Sequence, residues 1–123
     1  MKLRINNQLV LSDLQDQFRK QFPHLKLEFF SESHHAGKAN AMRYLLNAEN
    51  KLSACREHKN EGALSITKRT RVFELVYELG VQYGLFVQVF RKNGDTWLPT
   101  ADTDYWTLGE QEKEGALVLK LQV

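Results

Sequence analysis

The sequence has little that could lock a fold covalently, and it has no long apolar run. Cysteine occurs once, at Cys55, which excludes an internal disulfide. The opening residues, MKLRINNQLVL, interrupt their apolar run with polar side chains, unlike a secretory signal peptide. Nothing approaches the roughly 18 consecutive apolar residues that indicate a membrane-spanning helix. These absences predict a cytoplasmic protein with no membrane span.

A large excess of one charge is also missing. The chain of 123 residues carries 17 lysines and arginines against 15 aspartates and glutamates, for a net charge of +2. That balance argues against a polyanionic partner such as nucleic acid. A chain of this length buries about two thirds of its unfolded surface. We therefore expect a single domain spanning residues 1–123, with one core and no cofactor.

The most strongly patterned stretch runs from Ala63 to Phe90 and predicts a strand, a helix and a second strand. Within it, apolar residues recur at helical spacing: Val72, Leu75, Val76, Leu79 and Tyr83. The chain opens in a similar order, with a strand from Leu3 to Ile5, a helix, and a strand from Leu25 to Phe30. Ser12 followed by Gln15 predicts a capping box at the start of that first helix.

The two halves of the chain align as an internal repeat. Residues 3–22 match residues 64–83 at an offset of 61, and LKLEFF then matches LFVQVF at an offset of 60. Near the end, the letters EGAL at Glu61 to Leu64 recur at Glu114 to Leu117. A match of this extent and order predicts a duplicated structural unit.

The same alignment places Leu52 over Leu108, so that residues 1–62 form a first copy and residues 63–123 a second. We therefore predict a two-layer α+β domain built from a duplicated strand, helix, strand, strand unit. Each strand, helix, strand passage is long enough for a parallel crossover, whereas Lys92 to Asp95 predicts a hairpin turn. The expected result is a mixed sheet of about seven strands with two helices on one face.

Four segments resemble the signature blocks of an uncharacterised family of small bacterial proteins: LKLEFF, CREHKNEGALSI, GLFVQVFRKNGDTWLPT and TDYWTLGEQ. The resemblance covers most of the chain and implies a compact bacterial domain. It implies no activity, ligand or catalytic residue. The chain departs from the pattern at Phe73 and Tyr77, where a polar helix face is expected.

Four residues are candidates for metal or thiol chemistry: His34, His35, Cys55 and His58. Adjacent histidines in an extended segment point to opposite sides, however, and no recognised nucleophile or phosphate-binding motif occurs. The interpretation we favour is a small buried thiol with solvated histidines. The sequence predicts no metal site and no catalytic residue, and it favours a protein that is not an enzyme.

Three basic residues, Lys68, Arg69 and Arg71, precede the second helix, whose first amides carry partial positive charge. They suggest a phosphate or sulfate site at this helix terminus or, on a larger scale, a nucleic-acid surface. The alternative, which we favour, is a solvated turn whose arginines pair with Glu74 or Glu78.

The stretch from Trp97 to Trp106 is the candidate site for a small ligand. Its candidate residues are Trp97, Asp102, Asp104, Tyr105 and Trp106. Rigid aromatic side chains are common anchors of binding surfaces. The alternative is that the aromatics hold a loop against the core while the acids satisfy turn amides.

A second apolar row on the second helix is formed by Phe73, Tyr77 and Val81, on the side away from its core row. Monomers rarely leave such a patch bare. Either the segment from Ala39 to Leu46 covers it, or a partner does, most simply the same helix of a second copy. The leading hypothesis is therefore a non-enzymatic protein-interaction or structural module, a homodimer or the partner of another protein. Anion, nucleic-acid or small-ligand binding are the alternatives.

Overall fold

The computed structural model describes residues 1–32 and 42–121, and it describes side chains as far as residue 117. The helices and strands are, in chain order, β1 (Lys2–Ile5), α1 (Leu11–Gln21), β2 (Leu25–Phe30), α2 (Leu52–Cys55), β3 (Gly62–Ser65), α3 (Val72–Tyr83), β4 (Phe86–Asn93), β5 (Thr96–Pro99) and α4 (Leu108–Leu121). Single turns of 3-10 helix occur at Met42–Tyr44 and Ala101–Thr103.

The strands form two small antiparallel sheets. β1 pairs with β3, with Leu3 opposite Leu64. β2, β4 and β5 form the second sheet, with β4 in the centre and Glu28 opposite Gln88. The predicted mixed sheet of about seven strands with two helices is therefore wrong, since the described residues contain five strands and four α-helices. α1 and α3 each connect a strand of one sheet to a strand of the other, so neither makes the expected parallel crossover.

The match between the two EGAL segments is also wrong. Glu61 to Leu64 leads into β3, but Glu114 to Leu117 lies inside α4. Thr107 and Glu110 begin this helix with a capping box: the Thr107 hydroxyl accepts the Glu110 N–H at 3.1 Å, and the Glu110 carboxylate accepts the Thr107 N–H at 3.0 Å. The hydrogen bond from the Thr107 backbone lowers the pKa of the Glu110 carboxyl. Pairing with β1 holds the first EGAL segment extended, whereas the cap starts a helix that continues through the second.

Carboxylates begin α1 and α3 in the same way. Asp13 accepts the N–H of Val10 at 2.9 Å, and Glu74 accepts the N–H of Arg71 at 2.9 Å. Each bond satisfies a donor that the helix itself leaves unpaired. The capping box predicted from Ser12 to Gln15 is wrong, because α1 starts one residue before Ser12.

α1 and α3 bury their apolar sides against one face of the three-stranded sheet. The strand residues of this core alternate along β2 and β4: Leu25, Leu27, Phe29, Val87 and Val89. The two helices contribute Leu11, Leu14, Phe18, Val72, Leu75 and Leu79. Because strand side chains alternate and helix side chains recur every three to four residues, each element turns a single apolar face to the core. The outer faces of both helices are left to make other contacts.

β4 is longer than β5, and the part of β4 that β5 does not pair with borders the candidate site. The predicted hairpin is present, with Gly94 at a φ of 62°, a conformation that favours glycine. β5 pairs only with Phe90 to Asn93. Thr100 then leaves the sheet, and its N–H and hydroxyl donate to the Val89 carbonyl at 3.1 and 2.8 Å. The first half of β4, including Gln88, therefore borders α3 and the second 3-10 turn.

Candidate functional site: the α3 groove

α3 carries an exposed apolar row on the side away from the core. Phe73, Tyr77 and Val81 are 46%, 62% and 60% exposed. They are spaced four residues apart, so the three side chains lie along one line of the helix. We refer to these three residues as the outer row.

The segment from residue 39 to residue 46, the alternative cover for the outer row, is only partly described. Its described residues begin with the Met42–Tyr44 turn, and Leu45 then bridges Phe30 on β2. Residues 39–41 lie outside the described part. The role of the outer row as an interface stays a prediction.

A groove of about 580 Å³ runs beside the outer row, between α3, the first half of β4 and the second 3-10 turn. We call it the α3 groove. Its apolar lining consists of Val72, Phe73, Val76, Tyr77 and Ala101, and its polar lining of Glu74, Glu78, Gln88 and Asp104. Ligand pockets typically measure about 300–1,000 Å³ and combine apolar walls with a few polar groups. The α3 groove has both properties.

Gln88 is the polar residue at the inner wall of the groove. Its side chain is 1% exposed, and its Nε2 donates to the Val89 carbonyl at 3.2 Å. Its Oε1 is buried and accepts no hydrogen bond from the residues that the structure describes. Leaving a buried acceptor unpaired costs about 1–3 kcal/mol.

The charged residues that line the groove are all acidic. Glu74 accepts the Arg71 N–H, and Glu78 accepts a hydrogen bond from the Gln82 amide. Asp104 lies across the groove on the loop before α4. In the described part of the chain none of the three lining carboxylates forms an ion pair. The lining of the groove therefore carries charge of one sign only.

The amides at the start of α3 are bonded within the chain. The N–H groups of Val72 and Phe73 donate to the carbonyls of Trp106 and Asp104 at 3.0 and 2.9 Å. The N–H of Arg71 is taken by the capping carboxylate. An anion at a helix amino terminus depends on free N–H groups. None of these three amides has a free N–H group for an anion.

The side chains of the basic turn make structural contacts instead. The Arg71 guanidinium donates to the Tyr105 carbonyl at 2.6 Å. The Lys68 carbonyl accepts the Gly109 N–H at 2.9 Å, and Arg69 is exposed. The turn thereby joins the start of α3 to the start of α4. This geometry gives no support to the predicted anion site at Lys68, Arg69 and Arg71.

The two tryptophans of the predicted ligand site lie apart. The Trp97 ring is 4.9 Å from the Lys26 ammonium and 5.0 Å from the Lys92 ammonium. The Trp106 ring instead lies 5.5 Å from the Arg91 guanidinium. Arg91 and Lys92 are neighbours in β4 and point to opposite faces of the sheet. Trp97 and Trp106 therefore contact opposite faces.

The other residues of the predicted ligand site are also divided. Asp104 lines the α3 groove, whereas Asp102 is exposed on the second 3-10 turn. Tyr105 has an exposed ring, and its carbonyl holds Arg71. The structure thus brings Asp104 to the outer row of α3 and away from Trp97. The closeness of residues 97 to 106 in the sequence did not reveal that their side chains are separated in the structure.

A second cavity, of about 520 Å³, lies between α2 and the end of α3 and includes Cys55, Arg56 and His58. The buried Arg56 guanidinium donates to the Tyr83 carbonyl at 2.8 Å and to the Asn7 side chain at 2.6 Å. It therefore caps the carboxyl end of α3, where a cation is favourable. Burial raises the pKa of the Cys55 thiol, the opposite of what a nucleophilic thiolate requires. This cavity is explained by its structural contacts.

The metal candidates are not assembled in the described part of the chain. His34 and His35 lie outside the described residues. Within residues 1–32 and 42–121, no group of three histidine, cysteine, aspartate or glutamate side chains is placed to hold a metal ion. Cys55 and His58 are thus left as neighbours in the second cavity.

Sequence reasoning missed Gln88, although the sequence holds a signal for it. The residue interrupts an otherwise apolar run from Leu85 to Phe90, in a strand that pairs on both sides. A polar residue buried in a central strand is uncommon and requires a partner. Its place in the α3 groove depends on β5 ending early, which the local pattern does not reveal.

Comparison with known proteins adds no assignment. No family model, no curated protein and no solved structure matches the chain. None of the described helices is long and apolar enough to cross a membrane. The functional argument therefore rests on the α3 groove and the outer row.

Proposed function

We propose that the chain is a protein-interaction module that binds an apolar segment of a partner protein in the α3 groove and along the outer row. The observation that carries the proposal is the exposure of two large aromatic residues, Phe73 and Tyr77, at the lip of an apolar groove. Buried aromatic anchors dominate the energetics of protein interfaces. Exposed contiguous apolar patches commonly mark such surfaces.

The outer row favours a protein segment over a small ligand. Phe73 and Tyr77 line the groove, but Val81 lies beyond its lining. The row extends for about 12 Å along the helix, because each residue advances the chain by 1.5 Å. A small ligand inside the groove would leave Val81 exposed. A helix or extended segment laid along α3 covers both the groove and Val81.

Photo-crosslinking tests the proposal in cells. Benzoylphenylalanine placed at Val81 should give a discrete adduct with a partner, because Val81 lies beside the proposed contact. The adduct should disappear when Phe73→Glu and Tyr77→Glu are added. It should persist with Gln8→Glu and Gln21→Glu, which add the same charge at exposed positions elsewhere.

Two further measurements make the outcome decisive. The thermal midpoints of both double variants should stay close to that of the wild type, which shows that the fold is intact. Adducts that form equally without further changes and in both double variants, or in none of these proteins, would contradict the proposal. Analytical ultracentrifugation of the wild-type chain decides whether the partner is a second copy.

A further inference from the structure

Resting on this proposed function, we infer that the segment bound by the α3 groove is a cationic amphipathic helix of another protein, anchored by an arginine or lysine. Three features lead to this partner: the sign of the charge around the groove, the apolar walls beside an exposed aromatic ring, and the spacing of the outer row. Each feature constrains a different part of the partner.

The charge around the groove selects a cationic partner. Glu74, Glu78 and Asp104 line it, and none of these carboxylates has an ion-pair partner among the described residues. The whole chain has a net charge of +2, so this negative surface is local. Complementary charge steers partners and excludes wrong ones. A segment carrying acidic residues beside its apolar face would be repelled.

The walls of the groove select the anchor. They combine apolar side chains with three carboxylates, so an entering side chain gains most from an apolar stem that ends in a cation. Arginine and lysine have apolar stems that suit Val72 and Val76, and their cationic heads are attracted to aromatic faces such as Tyr77. The nearby carboxylates then offset the charge.

The outer row selects a helix. Phe73, Tyr77 and Val81 recur every four residues, which matches the spacing of apolar side chains on one face of a facing helix. The row of about 12 Å corresponds to about two helical turns. A partner segment of two to three turns therefore suffices.

A second copy of the same α3 fits poorly. Its charged side chains are Glu74 and Glu78, and it has no basic residue. Two such helices placed face to face would bring four carboxylates together around an apolar contact. Like charges across an interface are destabilising. The electrostatics thus favour a different protein over a homodimer through this face.

Peptide display reveals the chemistry of the partner before the partner itself is identified. A library of random 14-residue peptides is selected on the full chain, and peptides that also bind the Phe73→Glu, Tyr77→Glu variant are removed. We expect the remaining peptides to share apolar residues at helical spacing with arginine or lysine beside them. Their affinity should fall about tenfold between low and physiological salt.

A triple variant tests the charge directly. Glu74→Gln, Glu78→Gln and Asp104→Asn keep the side-chain shapes, and glutamine preserves the cap that Glu74 provides. The selected peptide should bind this variant at least about tenfold more weakly, since three charge contacts are lost. A matched peptide with glutamine in place of its basic residues should bind the wild type and the triple variant equally.

The outcomes separate the two proposals. Peptides that depend on Phe73 and Tyr77 but lack basic residues would overturn the cationic partner and leave the interaction module standing. Peptides of acidic character would do the same. If no selected peptide depends on Phe73 and Tyr77, both proposals fail. Unchanged binding by the triple variant contradicts the role of the carboxylates even where basic peptides were selected.

Discussion

Helices α1 and α3 occupy equivalent positions but present different outer faces. α1 is preceded by Val10, which bridges Lys51 just before α2, and α3 is preceded by Arg71, which bridges Thr107 just before α4. Val10 and Arg71 are 61 residues apart, the offset at which the two halves of the sequence align. A β-bridge at the corresponding position thus holds the start of each helix in place.

The hydrogen bonds around the two helices correspond in detail. The Leu11 N–H donates to the Asn50 carbonyl at 3.0 Å, as the Val72 N–H does to Trp106. One residue further along, the Ser12 N–H donates to the Ala48 carbonyl, and its counterpart, the Phe73 N–H, donates to the Asp104 carbonyl. We propose on this basis that residues 1–62 and 63–123 are copies of one unit, with different structures at their ends.

The pairing of the strands fits the same relation. Leu3 lies opposite Leu64, which is its counterpart at an offset of 61, and Glu28 lies opposite Gln88, its counterpart at an offset of 60. A two-fold axis between the copies would pass through both pairs. On this proposal, each copy completes its sheets with strands of the other, which would explain why the helices connect two sheets instead of crossing over within one.

The difference between the copies lies on the surface that surrounds the groove. The counterparts of the outer row on α1 are Ser12, Asp16 and Lys20, all polar. The counterpart of Gln88 is Glu28, which is partly exposed and forms an ion pair with Lys26 at 3.3 Å. On the same proposal, the shared framework serves stability in both copies. Of the two helices, only α3 carries the exposed apolar row, which supports a binding role for that surface.

The largest expected effect tests whether both copies contribute equally to the core. Leu14 and Leu75 are counterparts, and both are buried. Replacing either with alanine should lower the free energy of unfolding by about 3 kcal/mol, because the methyl groups are lost and a cavity remains. Urea denaturation followed by circular dichroism measures both. A loss below about 1 kcal/mol for one of them would show that its copy is loosely packed and break the equivalence.

The sequence predicted the parts of this comparison that depend on local pattern. Strand β2 lies at Leu25 to Phe30 as expected, and α3 spans the residues from Val72 to Tyr83 that recur at helical spacing. The pairing of the strands depends on contacts between the halves, which the pattern within one segment does not contain. The repeated EGAL letters near the end of the chain suggested a strand there, but the Thr107 cap starts a helix.

The candidate site was predictable only in part. The outer row followed from helical spacing alone. The α3 groove needs three elements that are distant in sequence, and its depth depends on where β5 ends. The aromatic stretch from Trp97 to Trp106 looked like a site because its residues are adjacent in sequence. Strand alternation and the 3-10 turn separate them in space.

A smaller effect distinguishes Gln88 from Glu28. Gln88→Met keeps the size of the side chain and removes the unpaired acceptor, so the free energy of unfolding should rise by about 1 kcal/mol. Glu28→Met should give no such gain, since Glu28 has a partner and is partly exposed. A stability loss at Gln88 would show that its side chain is structural.

The smallest expected change in stability comes from giving α3 the outer face of α1. Phe73→Ser, Tyr77→Asp and Val81→Lys introduce the residues of the first copy, and the free energy of unfolding should change by only about 0.5 kcal/mol because these positions are exposed. Peptide binding, measured by fluorescence anisotropy, should be lost. Ser12→Phe, Asp16→Tyr and Lys20→Val form the reciprocal control: they should not create binding, because Gln17 and Ala48 stand where the α3 groove has Glu78 and Asp104. Binding by that reciprocal variant would mean that an apolar row is sufficient and that the groove behind it contributes nothing.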